Sequence, residues 1–208
     1  ENMLANLVEI FGKDDAARAA AISRMDPSLD RLGIAIRQYL ADLGGEALNE
    51  EDGERSQEIH AFVMNIEHIG DITANNMMEF AAKKAKSGQD FSADDIQDLA
   101  AMHEQVMESL RLGITVFMRG DLRAAQQLIE RKELLWRLEN ESSDRHIRAL
   151  REQRDGGGGD VYLRILRDLR RIHSHLAAIA YLPLERAGLL QGRLVREPMT
   201  TSTAEGKA

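Results

Sequence analysis

The sequence predicts an all-α protein made of two tandem three-helix-bundle repeats with elongated antiparallel helices. Three observations predict it. Strand-like alternation is absent, aromatic residues make up only 4% of the 208, and Ala, Leu, Glu, Arg and Met dominate. Apolar residues recur at helical spacing, so each helix carries one stripe that a partner helix must cover. The chain also resembles itself. A shift of 106 residues lays Leu4 on Leu110, Phe11 on Phe117, Asp15 on Asp121, and Leu29-x-Arg31-Leu32 on Leu135-x-Arg137-Leu138. A shift of 103 lays Ile59–Met78 on Tyr162–Tyr181, apolar on apolar. The expected units are residues 1–90, residues 91–192 and a disordered tail over 193–208, rich in Pro, Thr, Ser and Gly.

In chain order, a first helix spans about 4–11 and breaks at Gly12-Lys13-Asp14. A second covers 15–43, and Pro27, lacking an N–H, should kink or break it at Met25-Asp26. Gly44-Gly45 ends it. A third runs 49–86 to Ser87-Gly88. Ser92, with Asp94 and Asp95 in the first turn, caps a fourth helix reaching Arg119. A fifth occupies 121–153, the Gly156–Gly159 tract is a flexible loop, and a last helix covers 160–190. Met64, Met77, Met78, Met102 and Met107 read as core filler, and Trp136 beside Leu134, Leu135 and Leu138 as a packing residue.

Composition excludes several function classes. The absence of cysteine removes disulfides, thiolate metal sites and cysteine nucleophiles. Residues 1–105 carry 9 basic and 21 acidic side chains, whereas residues 106–208 carry 18 and 14. No continuous basic face is expected, so nucleic acid is not an expected partner, and the arginines of the second half should largely meet the chain's own acids. No apolar run is long enough to span a membrane. Phosphate-cradling loops and dinucleotide fingerprints are absent, and His103-Glu104-Gln105-Val106-Met107 misses a zinc-protease helix at its last position. The first residue is Glu rather than Met, and a fragment of a longer protein is expected.

The densest polar constellation lies within Ile59–Asn75. Glu67 and Asp71, four residues apart, stack at the edge of an apolar face, with Asn75 continuing the stripe. Two like charges about 6 Å apart repel unless a proton or cation lies between them. Asp26 and Asp30, also four apart, offer a second oxygen wall suited to a hard or borderline cation. The same spacing is also that of an ordinary solvated helix edge, and spacing alone favours the latter. His173 and His175 project about 200° apart on their helix and cannot share one ion, so they read as core or interface histidines bonded to neighbours.

Glu67-His68-Ile69-Gly70-Asp71-Ile72-Thr73-Ala74-Asn75-Asn76 resembles the signature helix of the PhoU family of bacterial phosphate-signalling proteins. Three stretches resemble one branch of it, the C-terminal cytoplasmic PhoU-like domain of bacterial sodium/phosphate cotransporters. They are Met25-Asp26-x-x-x-Asp30-Arg31-Leu32, Asn65-Ile66-Glu67-His68-Ile69-Gly70-Asp71 and Leu166-Arg167-Asp168-Leu169-Arg170-Arg171-Ile172-His173-Ser174-His175. The resemblance implies a fold of two three-helix bundles and carboxylate ligands for divalent or ferric ions (Fe, Zn, Mn or Mg). In the second repeat Arg170 and Ser174 replace Glu67 and Asp71, so at most one site carries over. Its ligands would be Glu67 and Asp71, assisted by Asp26, Asp30 and Asn75.

The function the resemblance implies is non-enzymatic: a regulatory domain of a sodium-dependent phosphate transporter in phosphate uptake and homeostasis. It would sit peripherally on the cytoplasmic side of the bacterial inner membrane. Its expected partners are the membrane transport domain of the same protein, other phosphate-transport proteins or a second copy of itself. Arg164, Arg167, Arg170 and Arg171 form the expected docking face. The alternatives are a free-standing adaptor binding a phosphate ABC transporter and a sensor kinase, or a metal-dependent hydrolase using Glu67 and Asp71.

Overall fold

A computed structural model describes residues 1–5, 7–13, 16–44, 48–87, 90–152 and 159–190. Nine α-helices and one π-helical turn account for nearly all of them: α1 Asn2–Ala5, α2 Leu7–Lys13, α3 Ala16–Gly44, α4 Glu50–Asp71, the π turn Ile72–Met77, α5 Met78–Ser87, α6 Ala93–Arg119, α7 Leu122–Arg151, α8 Gly159–Ala178 and α9 Tyr181–Arg186. No strand occurs among the described residues. The expected Gly156–Gly159 loop lies outside them except for Gly159, and the expected tail lies wholly outside them.

Local chemistry explains the helix ends. Asn49 caps α4 by accepting from the Asp52 amide, with Glu50, Glu51 and Asp52 in the first turn facing the positive end of the helix dipole. Ser92 and Asp95 form a capping box at the start of α6. Gly120, at φ 61°, closes α6 in the left-handed conformation that a side chain disfavours. Asp121 then starts α7 by accepting from the amides of Arg123 and Ala124.

Four expectations need correction. The expected 4–11 helix is two short ones, α1 and α2. Of the two outcomes expected at Pro27, a kink or a break, the break does not occur: α3 runs through it as one helix. The Pro27 ring forfeits one backbone hydrogen bond, a loss that packing along 29 residues outweighs. The expected 49–86 helix is interrupted by the π turn, and the last helix stops at Ala178 before the short α9.

One apolar core runs through both repeats. Its fully buried members include Ile22, Met77, Leu99, Met102, Leu128, Leu135, Leu166 and Ile172. The second repeat is a closed bundle in which α6, α7 and α8 all pack on one another. The first repeat is held chiefly by α3 against α4, the π turn and α5. Phe62 stacks on Phe117 with ring centres 3.8 Å apart, and Arg55 lies 4.6 Å over the Phe117 ring, joining the repeats. Met77, Met78, Met102 and Met107 are buried as expected. Trp136 is not: it is 53% exposed. A residue beside Leu135 points about 100° away from it on a helix, so apolar sequence neighbours do not share a face.

Candidate functional site

The acidic constellation forms where the Pro27 region of α3 crosses the end of α4. Gly70 permits the crossing, since a Cβ there would collide with the Leu29 side chain and stand 3.1 Å from Asp26 Oδ1. That oxygen is buried without a hydrogen-bond partner. Partial burial raises the Asp26 pKa above the ordinary carboxylate value, and the negative charges of Asp30 and then Asp71 raise it further. Asp26, Asp30 and Asp71 thus act on one another electrostatically, and none has a basic partner among the described ion pairs. An oxygen stripped of water and pressed by two like charges gains from a proton or a cation.

Glu67 has a different environment from Asp71. It passes over Gly33, where a Cβ would overlap its carboxylate, and forms an ion pair with Arg37, one turn further along α3. The expectation that Glu67 and Asp71 act as a matched pair is therefore corrected: Arg37 already balances Glu67. Asn75 lies exposed on the π turn, where each residue turns the chain less than in an α-helix, so its assumed stacking on Asp71 is lost. No group of three His, Asp or Glu side chains among the described residues is close enough to hold a metal ion. Asp26, Asp30 and Asp71 lack basic partners among the described ion pairs and include the unpartnered Asp26 oxygen, whereas Glu67 is paired with Arg37.

The polar seam between the repeats begins at the same π turn. Asn76 donates to Asp168 Oδ2 at 2.9 Å, and Arg171 pairs with the other Asp168 oxygen at 2.8 Å. His175 Nδ1 lies 3.1 Å from Asn65 Oδ1, and its ring is 4.9 Å from that of His68. His173 is buried, with Nδ1 2.9 Å from Ser109 Oγ. Because Ser109 donates its proton to the Gln105 carbonyl, His173 Nδ1 is the donor of that bond. Burial, followed by the nearby Lys132 and Arg131 charges, lowers the His173 pKa to about 4. Both histidines are thus hydrogen-bonded interface or core residues, as the sequence suggested.

The arginine row is mostly occupied. Arg164 pairs with Asp160, Arg170 with Glu139 and Arg171 with Asp168, while Arg167 is exposed. Arg186 crosses between the repeats to Glu54 and Glu58. Most of the other arginine pairs stay within the second repeat, a closer pairing than the charge balance of the two halves suggested. Arg37 and Gly33 are the site residues that sequence reasoning missed. Their signal was present, since only a residue without a side chain lets a carboxylate lie across the α3 backbone.

The family model described as "PhoU domain" matches residues 1–80 and again 99–182. The chain belongs to the PhoU family. It is 30% identical over 174 residues to the "Putative inorganic phosphate export protein YjbB" of Escherichia coli O157:H7, covering 83% of this chain and 32% of that protein. Against the protein of the same name from Salmonella typhimurium it is 27% identical over 188 residues, covering 89% of this chain and 34% of that one. The chain therefore spans about a third of the length of these relatives. The crystal structure of PhoU from Pseudomonas aeruginosa superposes with a TM-score of 0.81 over 89% of this chain and 88% of that one, at 17% identity, which establishes the PhoU fold. No described helix is long and apolar enough to cross a membrane.

Proposed function

We propose that this PhoU domain is a regulatory, non-catalytic part of a phosphate-transport protein. It acts through contacts with the transport portion of the same polypeptide on the cytoplasmic side of the bacterial inner membrane. The observation that carries the reading is the match, over most of this chain, to one third of proteins named for inorganic phosphate export. The relatives' name favours export over sodium-coupled uptake, and the proposal adopts export.

Within this reading Asp26, Asp30 and Asp71, which stand too far apart to share an ion in this structure, close around a single Fe, Zn, Mn or Mg ion; the unpartnered Asp26 oxygen supports this. When bound, the ion supplies positive charge that cancels the repulsion among three carboxylates. The protein's own contribution is to bring α3 and α4 together at Gly70, so that the charge state of the cluster bears on how tightly these helices pack. Of the arginine row, Arg167 is the member open to a partner, since the other three are already paired.

Phosphate efflux from cells carrying the full-length protein, or the protein without residues 1–190, tests the reading. Efflux should survive the deletion but lose its dependence on internal phosphate. Efflux that keeps this dependence after deletion would contradict a regulatory role.

A further inference from the structure

Two imidazoles meet across the seam between the repeats. His68 comes from α4 of the first repeat and His175 from α8 of the second, with ring centres 4.9 Å apart and ring planes inclined by 35°. His68 is exposed and His175 half-buried, so an ion from solvent can reach the pair.

Neighbouring groups set the state of His175. Asn65 donates through Nδ2 to the Ala61 carbonyl at 2.8 Å, one turn back along α4. Its Oδ1 is the atom that meets His175 Nδ1 at 3.1 Å. An amide oxygen only accepts, so Nδ1 carries the ring proton and Nε2 keeps its lone pair. Imidazoles that ligate a metal give their other N–H to an oxygen in this same way, which fixes the tautomer and the ring orientation. Burial, followed by the charges of His68 and Arg171, lowers the His175 pKa below the ordinary value of 6.5, which keeps the ring neutral at neutral pH. Arg171 is itself paired with Asp168 at 2.8 Å.

The ring spacing suits a shared ion. A zinc–nitrogen bond is about 2.0–2.1 Å and a ring nitrogen lies roughly 1.1 Å from the ring centre, so a bound ion stands about 3.2 Å from each centre. At the tetrahedral angle the two centres are then roughly 5.2 Å apart, against the 4.9 Å found here. Nitrogen donors select borderline ions such as Zn²⁺ over Mn²⁺ and Mg²⁺, which prefer oxygen. We propose that His68 and His175 form a two-histidine site for a Zn²⁺-class ion that pins α4 to α8 across the repeats. Water completes the coordination, so the site differs from a cage of three or more His, Asp or Glu ligands, of which the described residues form none. It is also separate from the cluster of Asp26, Asp30 and Asp71, which lies within the first repeat, and it stands whether or not the domain regulates transport.

The test begins with metal-stripped protein carrying Asp26→Asn and Asp71→Asn, which silences the acidic cluster. Calorimetric titration should find one Zn²⁺ per chain, no Mn²⁺, and Zn²⁺ binding that weakens on acidification as protons compete for the imidazole nitrogens. Adding His68→Gln or His175→Gln to this background should weaken Zn²⁺ binding at least about tenfold. Zn²⁺ should also raise the melting temperature of the background protein, and His68→Gln, an exposed substitution that leaves the core intact, should abolish the rise. Zn²⁺ affinity unchanged by His68→Gln would overturn the inference. So would a Zn²⁺ site that the unsubstituted chain has and the Asp26→Asn, Asp71→Asn background lacks, since that result would assign the ion to the acidic cluster. Neither outcome bears on the efflux test of the regulatory reading.

Discussion

Where the first repeat carries Asp26, Asp30 and Asp71, matched positions of the second carry Lys132, Trp136 and Ser174, and His173 stands in place of Gly70. A further exchange accompanies this one. Glu67 corresponds to Arg170 and Gly33 to Glu139, so one contact between the second and third helices is built with opposite polarity. In the second repeat Arg170 pairs with Glu139 directly across it. In the first, Glu67 must pass over Gly33 to reach Arg37. The second repeat thus settles its charges internally and closes its bundle. The first keeps a group of acids without basic partners and an open apolar face. Two copies of one architecture thus differ in how completely their charged and apolar groups are paired.

The comparison is broken most sharply by matched core truncations. Leu169→Ala, in the closed repeat, should cost about 3 kcal/mol, while Ile66→Ala at the matched position beside the open seam should cost roughly 1.5 kcal/mol, because less contact is lost there. Urea unfolding of the two variants measures both. Equal losses would mean that the two bundles are equally closed.

His173 gives the next largest effect, and only the second repeat has it. Its folded pKa of about 4 lies below the ordinary histidine value of 6.5, so its contribution to stability is complete above 6.5 and is lost as pH falls toward 4. That loss amounts to about 3 kcal/mol at most. Unfolding free energy followed from pH 7 to 4 should decline with a slope that His173→Gln reduces.

The polarity exchange predicts symmetrical, smaller effects. Glu67→Gln and Glu139→Gln each break one partly exposed pair and should each cost about 0.5–1 kcal/mol. Double-mutant cycles with Arg37 and Arg170 would sharpen the comparison. Smallest is Asp26→Asn. A carboxyl whose folded pKa is raised favours folding only when protonated, and that advantage is lost as pH rises through its ordinary value of 3.8. Replacing it should therefore stabilise metal-free protein at pH 7 slightly, by less than about 1 kcal/mol given its solvent exposure.

The helical fold was legible because periodicity and capping are local properties. Ser92 and Asp95, Gly120, and the acids after Asn49 announce their helix ends within four residues. The π turn was not legible, because Ile72–Met77 has the composition of an ordinary helix. At the site, the acids could be read one helix at a time, but the partner of each could not. Glu67 and Arg37 lie 30 residues apart, and their meeting depends on how α3 and α4 are rotated about their axes. That rotation also sets Asp26 within reach of the Asp71 charge and apart from the Glu67–Arg37 pair. Trp136 was misread for a related reason: adjacency to leucines in sequence says nothing about which side of α7 it occupies.

Calorimetric titration of metal-stripped protein with Mn²⁺ tests the asymmetry between the repeats most directly. The account predicts one ion per chain, lost in Asp26→Asn with Asp71→Asn and retained in Glu67→Gln. Two ions per chain, or binding that survives the double substitution and disappears with Glu67→Gln, would contradict it.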